Sequence, residues 1–199
     1  MIIRKQFKFN GQHIVRNCSS ERCKKSIHSH SYVVEVFFTS QGFDNGQMVM
    51  DFGLMKSTIK DFIDGFDHAY SMWDKETLEF KEFMKQNSDR WIEMPVSPSA
   101  EAYSLMFFKV IDSIVQCTEF NNGEKQVKLS SVRVHETTTG YAESYESDLT
   151  WQQFDLSDIK ISEGIKKEWN DPKMYDKIVD YIRNRGKKPF INLVVEQQV

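Results

Sequence analysis

The chain has 199 residues, 40% of them apolar, 13% aromatic and 28% charged, with nine glycines and four prolines. That composition suits one folded domain with room for an appendage, and it excludes a disordered, collagenous or fibrous chain. No run approaches the ~20 apolar residues of a membrane span, and MIIRKQFKFN lacks the apolar stretch of a secretory signal, so a cytoplasmic location is expected. A formal net charge of −3 leaves nucleic acid an unsupported partner, because phosphate binding needs a concentrated basic surface.

Residues 4–9 alternate towards Phe7 and Phe9, and Tyr32 to Phe38 form an aromatic and β-branched run; both read as strands separated by a polar loop, Arg16 to Lys25. After turn residues Gly42 to Gly46, Asp51 can cap a helix over 53–66 whose apolar positions Met55, Ile59, Phe62, Ile63 and Phe66 follow the helical period. A weaker helix is expected over 75–87. Ser97-Pro98 opens another, running to about Cys117, with Tyr103, Met106, Phe107, Val110 and Ile114 as its buried stripe. Two strands follow, Val127 to Thr137 and Tyr141 to Thr150, joined tightly through Thr139-Gly140. This order predicts an α+β fold, an antiparallel sheet with helices packed on one side.

Beyond Thr150, residues 162–169 and 172–185 read as helices, the second ending in Arg183, Arg185, Lys187 and Lys188 around Gly186. The expected division is a main domain over 1–149 and a helical C-terminal extension over 150–199.

Three cysteines, an odd number, predict reduced thiols rather than a disulfide framework. Cys18, Cys23, His13, His28 and His30 crowd into eighteen residues. His28 and His30 sit one residue apart at a strand entrance, so their imidazoles leave one face about 7 Å apart. If the first two strands pair antiparallel, His13 falls beside them, and three neutral imidazoles form a zinc site with one position open. Cys18, Cys23, His28 and His30 could instead make a closed structural site with two sulfurs and two nitrogens. In the first case Cys23 is the candidate nucleophile or base, since Arg22, Lys24 and Lys25 flank it and a thiol reacts only as thiolate.

Three further features stand at element ends. Asp67-His68 follows the 53–66 helix, Glu101 lies in the first turn of the next, and Glu136 shares a strand face with Val132 and Val134. Capping, helix-dipole and local ion-pair roles are available to each of them singly.

Together, the first-strand histidine, Cys23-x4-His28-x-His30-Ser-Tyr, Val49-Met-Asp51-Phe52, Asp67-His68, Ser99-Ala-Glu101 and Val134-His-Glu136-Thr137 resemble the 6-pyruvoyl-tetrahydropterin synthase and 6-carboxytetrahydropterin synthase family over residues 1 to about 147. The long loop and the extension resemble the longer bacterial 6-carboxytetrahydropterin synthases of queuosine biosynthesis. The resemblance implies a tunnelling fold, with a four-stranded antiparallel sheet, helices on one face, and homo-oligomers whose active sites lie at subunit interfaces. It implies a zinc lyase acting on 7,8-dihydroneopterin triphosphate, with zinc on His13, His28 and His30. Cys23 would then remove a proton from the substrate side chain, Asp67 and His68 would serve the complementary proton transfers, and Glu136, helped by Glu101, would bind the aminopyrimidine edge of the pterin. Ser29, Gly11-Gln12, Ala69-Tyr70 and Ala100 depart from the family's usual residues without removing a ligand or the thiol.

Overall fold

A computed structural model describes residues 1–192. In chain order the elements are β1 (Ile2–His13), α1 (Glu21–Lys25), β2 (His28–Thr39), α2 (Gly53–Lys56), α3 (Thr58–Asp64), β3 (Tyr70–Trp73), α4 (Leu78–Asn87), β4 (Trp91–Met94) and α5 (Ala100–Gln116). There follow β5 (Thr118–Phe120), β6 (Lys128–His135), β7 (Tyr141–Ser144), two 3-10 turns, β8 (Lys160–Ile161), α6 (Glu163–Lys166), α7 (Met174–Asn184) and β9 (Phe190–Asn192).

The α+β class holds, but the sheet is larger than expected. Strands β7, β6, β2 and β1 do form an antiparallel set of four, and the sheet then continues through β3, β4 and β8 to seven strands. It is mixed, because β1 with β3 and β3 with β4 pair in parallel. The added strands have four residues or fewer, too short for alternation to declare itself in the sequence. A second small sheet joins β5 to β9.

Alternation in β1 and β2 sets the layers. Phe7, Phe9, Tyr32, Val34 and Val36 face the main apolar core, while Arg4, Glu35, Arg133 and Glu143 form an ion-pair network on the other face. Helix α5 lies across the core, its Ser99 side chain capping the Ala102 amide at 3.2 Å, and every position of the expected stripe is buried. Helices are not confined to that side. Tyr70, Met72 and Trp91 point to the opposite face, where they pack with Phe80 and Met84 of α4.

One expected helix is interrupted and one expected strand ends early. The 53–66 helix is broken at Ser57, where ψ is −99° and the hydroxyl donates to the Gly53 carbonyl at 2.8 Å; such back-bonding competes with the helical ladder. The last strand stops at Ser144, because the Asp148 carboxylate accepts from the Tyr145 amide at 2.8 Å and starts a 3-10 turn. Phe154, Leu156, Ile165, Trp169, Tyr175 and Ile178 of the extension enter the same core as α5, and Tyr175 stacks on Phe62 with ring centroids 6.0 Å apart.

Candidate metal centre and active site

The antiparallel register of β1 and β2 places His13 opposite His28 and Gly11 opposite His30. All three imidazoles therefore leave the core face at one end of the strand pair, and a ligand nitrogen from each lies within 4.8 Å of the others. The sequence expectation required this pairing, and the structure supplies it.

Two of the three rings have defined roles for their nitrogens. His13 Nδ1 donates to the Pro98 carbonyl at 2.5 Å, and His28 Nδ1 donates to Ser26 at 3.0 Å, which leaves Nε2 of both rings as acceptors. His28 Nε2 is buried without a hydrogen-bond partner. A buried acceptor with nothing to accept from fits a site built for a cation. Burial is the main reason the His13 pKa drops to about 4, against the raising effect of Pro98 and with the help of the His28 and His30 charges. It stays neutral near pH 7, as a metal ligand must. The donor set is three imidazoles; neither Cys18 nor Cys23 joins it.

Glu136 sits against this group, its Oε1 lying 3.7 Å from His13 Nε2 and 3.8 Å from His30 Nε2. Tyr32, two residues beyond His30 on the same strand face, donates its hydroxyl to Glu136 at 3.2 Å. Burial above all, then Tyr103 and Glu136, pushes the Tyr32 phenol far upward, so it remains a donor. Tyr32 had no role assigned from sequence, although the period-two spacing His28, His30, Tyr32 placed it on this face.

Cys23 lies in α1, which is tied to the segment after β1 by the Val15 amide donating to the Cys23 carbonyl at 3.0 Å, and its side chain is half-buried. Of the neighbouring cations Arg22 has no ion-pair partner among the described residues, and the others are engaged. Lys24 and Lys25 both pair with Glu21, and Arg16 with Glu76.

Asp67 and His68 form a pair in the turn after α3, with His68 Nδ1 donating to Asp67 Oδ2 at 2.7 Å. Asp67 Oδ1 accepts from the Asn10 amide at 2.7 Å, and the His68 amide returns a bond to the Asn10 carbonyl at 2.8 Å. Burial pushes the Asp67 carboxyl up, but the bonds from Asn10 and His68, with the charges of His68 and Arg90, outweigh it and hold the group below the usual carboxylate range. His68 is largely exposed, and the pair opens on a cleft shared with Arg90, Glu168 and Trp169 rather than on the three histidines.

Glu101 occupies a third place, on a cavity of about 400 Å³ between the start of α5 and β7. Trp73 and Ser97 also line it, and the Trp73 Nε1 and the Ser97 hydroxyl are buried without partners. Pro98, which holds His13, separates Ser97 from Ser99 on the same rim, so the cavity and the histidines share a wall.

A fold of this kind with a three-histidine centre at one end of its first strand pair defines a class of protein, and comparison with known proteins agrees. The sequence pattern of the 6-pyruvoyl tetrahydropterin synthase family matches residues 2–147, and the chain belongs to that family. A protein from Helicobacter pylori named 6-carboxy-5,6,7,8-tetrahydropterin synthase is 44% identical over 183 residues, covering 90% of this chain and 92% of its own length. One of the same name from Haemophilus influenzae is 25% identical, covering 72% of this chain and 98% of its own. Among solved structures, an uncharacterized protein from Wolinella succinogenes (TM-score 0.57, 20% identity, 73% of this chain and 98% of that one) and the 6-pyruvoyl tetrahydropterin synthase of Caenorhabditis elegans (0.52, 19%, 73% and 94%) share the fold.

Proposed function

We propose that this protein is a zinc-dependent 6-carboxy-5,6,7,8-tetrahydropterin synthase, a lyase converting 7,8-dihydroneopterin triphosphate to 6-carboxytetrahydropterin, acetaldehyde and triphosphate for queuosine biosynthesis. The observation that carries it is the convergence of His13, His28 and His30 in a chain related along nearly its whole length to a protein of that name. We assign the metal to these three Nε2-bearing rings, and zinc bound there supplies Lewis acidity towards the side-chain hydroxyls of the substrate.

The protein's own residues divide the remaining work. Cys23, as thiolate, takes the proton from the side-chain carbon. His68, held in one tautomer by Asp67 Oδ2, presents Nε2 to solvent as the complementary acid or base. Glu136, fixed by Tyr32, takes the aminopyrimidine edge of the pterin with the help of Glu101, and Trp73 and Ser97 beside Glu101 offer two unspent polar groups to the heterocycle.

Residues 1–149 act as the catalytic domain and 150–199 as the extension, in a cytoplasmic homo-oligomer. Among the described residues no helix is long and apolar enough to cross a membrane. Two observations support association. The outer edge of β7 and that of β1 before Asn10 have no strand partner among the described residues, and the Asp67–His68 pair faces away from the histidines of its own chain.

Incubation with 7,8-dihydroneopterin triphosphate and zinc tests the reading: acetaldehyde and the 6-carboxy product by mass are expected, and Cys23→Ala should lose turnover while keeping zinc. A 6-pyruvoyl product without acetaldehyde overturns it, and zinc loss with unfolding in Cys23→Ala overturns the catalytic role of that thiol.

A further inference from the structure

Arg90 opens β4, and its backbone is tied on both sides. Its carbonyl accepts from the Tyr70 amide at 3.0 Å, and the next residue, Trp91, exchanges bonds with Ser162 of the extension, the Trp91 amide donating to the hydroxyl at 3.2 Å and the Trp91 carbonyl accepting from the Ser162 amide at 3.1 Å. From this rigid base the guanidinium reaches into the turn after α3. Nε donates to the Asp67 carbonyl at 2.8 Å, and one terminal nitrogen spans the Asp64 and Gly65 carbonyls at 3.2 and 3.4 Å. The other terminal nitrogen donates to Glu168 at 2.5 Å. One side chain therefore satisfies the carbonyls exposed where α3 ends, and its charge is balanced from the extension.

The turn needs such a clamp. His68 adopts a left-handed backbone (φ 55°), which a residue with a Cβ enters only when its surroundings determine it. The Asn10 contacts fix one side of the turn, and the Arg90 fork fixes the other. We infer that Arg90, held by Glu168, is a positioning residue that sets the Asp67–His68 pair for proton transfer, so that the extension bears on the chemistry through one guanidinium. This rests on the roles proposed above for Asp67 and His68. Arg90 does not contact the three histidines' metal group, so its removal acts on turnover and leaves the metal in place.

The test compares Arg90→Ala, Arg90→Lys and Glu168→Ala in the full, zinc-loaded chain, with steady-state kinetics, zinc content and amide hydrogen exchange over 64–70 read on the same samples. In Arg90→Ala a misplaced pair should lower kcat roughly ten- to a hundredfold with KM within about twofold. Zinc content should not change, and the His68 amide should exchange faster. Arg90→Lys restores part of kcat, having one of the donors but not the fork, and Glu168→Ala lowers it less than Arg90→Ala does. A wild-type kcat in Arg90→Ala, or a loss of zinc that tracks the loss of kcat, overturns the inference. Should Arg90→Ala fail to fold, Glu168→Ala decides: lowered kcat with full zinc supports the clamp, and wild-type kcat refutes it. Should the unaltered protein not turn over this substrate, the proposed reaction falls, and exchange alone decides the clamp. Faster exchange at His68 in the variants then upholds it, and unchanged exchange overturns it.

Discussion

The unpartnered His28 Nε2 makes a two-sided prediction about stability. In protein stripped of metal by a chelator, a buried acceptor left without a donor costs about 1–3 kcal/mol. His28→Ala removes that penalty. It also removes the Nδ1 bond to Ser26, about 1 kcal/mol, and the contact with the His13 ring, whose centroid is 4.4 Å away. These terms oppose one another, so the metal-free variant should lie within about 1 kcal/mol of metal-free wild type. Zinc breaks the balance. At about a hundred times its Kd it adds about 2.7 kcal/mol to the wild type, and in a chain of this size each kcal/mol moves Tm by about 2–4 °C, so the midpoint should rise by about 5–11 °C. His28→Ala, with two imidazoles remaining, should show little of that rise at the same zinc concentration. Thermal unfolding of both proteins with chelator and with zinc measures all four midpoints. A zinc-induced rise in His28→Ala equal to that of the wild type refutes the three-histidine assignment. A loss in the metal-free variant as large as in the loaded one refutes the argument from the buried nitrogen.

Asp61 accepts from the Asn170 amide at 2.9 Å and from its side chain at 2.9 and 3.1 Å; Asp61→Ala should cost about 1.5–3 kcal/mol, whereas Asn170→Ala, which keeps the main-chain bond at an exposed residue, should cost under about 1 kcal/mol in urea unfolding. Equal losses would show that the main-chain bond is not what anchors the extension. Burial pushes the Glu93 carboxyl up, but Lys85 at 2.7 Å and Lys81 at 3.0 Å outweigh it and lower its pKa. Its contribution is therefore present above the unfolded value of about 4.3 and lost as pH falls through the lower folded one. The stability gap between wild type and Glu93→Gln should close below about pH 4, and a gap that persists to pH 2 excludes the ion pairs as its source.

Regular periods over long elements were legible. The alternation ending at Phe7 and Phe9 anticipates β1, and the apolar stripe from Tyr103 to Ile114 anticipates α5, because each buries one face against one core. The histidine centre was legible for the same reason, since a register of two long strands converts sequence spacing into distance. Short elements were not. Strands β3 and β4 pair through four residues each, and only their parallel pairing brings Arg90 to Asp67; nothing in Ser88-Asp89-Arg90-Trp91 marks that arginine out. The break at Ser57 depends on one hydroxyl choosing the Gly53 carbonyl, a local competition that the apolar period of 53–66 does not register. The unspent groups of Trp73 and Ser97 became visible only when the cavity beside Glu101 existed to hold them.

The two halves of the proposed chemistry are mounted on different supports. The three histidines stand on strands paired along their full length, with the His13 ring fully buried and fixed by Pro98. The Asp67–His68 pair stands on a turn held by contacts at its margins, two to Asn10 and three from Arg90. Local opening costs least where buried apolar contacts are few; Phe66 and Ala69 anchor the turn in the core, so it is the exposed His68, and not the metal centre, that yields first. The family match ends at residue 147, yet Glu168 lies beyond it and meets the guanidinium of a residue within it. In this chain, loosening the extension should therefore slow proton transfer before it weakens metal binding. A variant of the Asp61–Asn170 anchor that keeps its zinc while losing kcat would place the origin of that coupling in the docking of the extension, and one that loses both together would place it in the core they share.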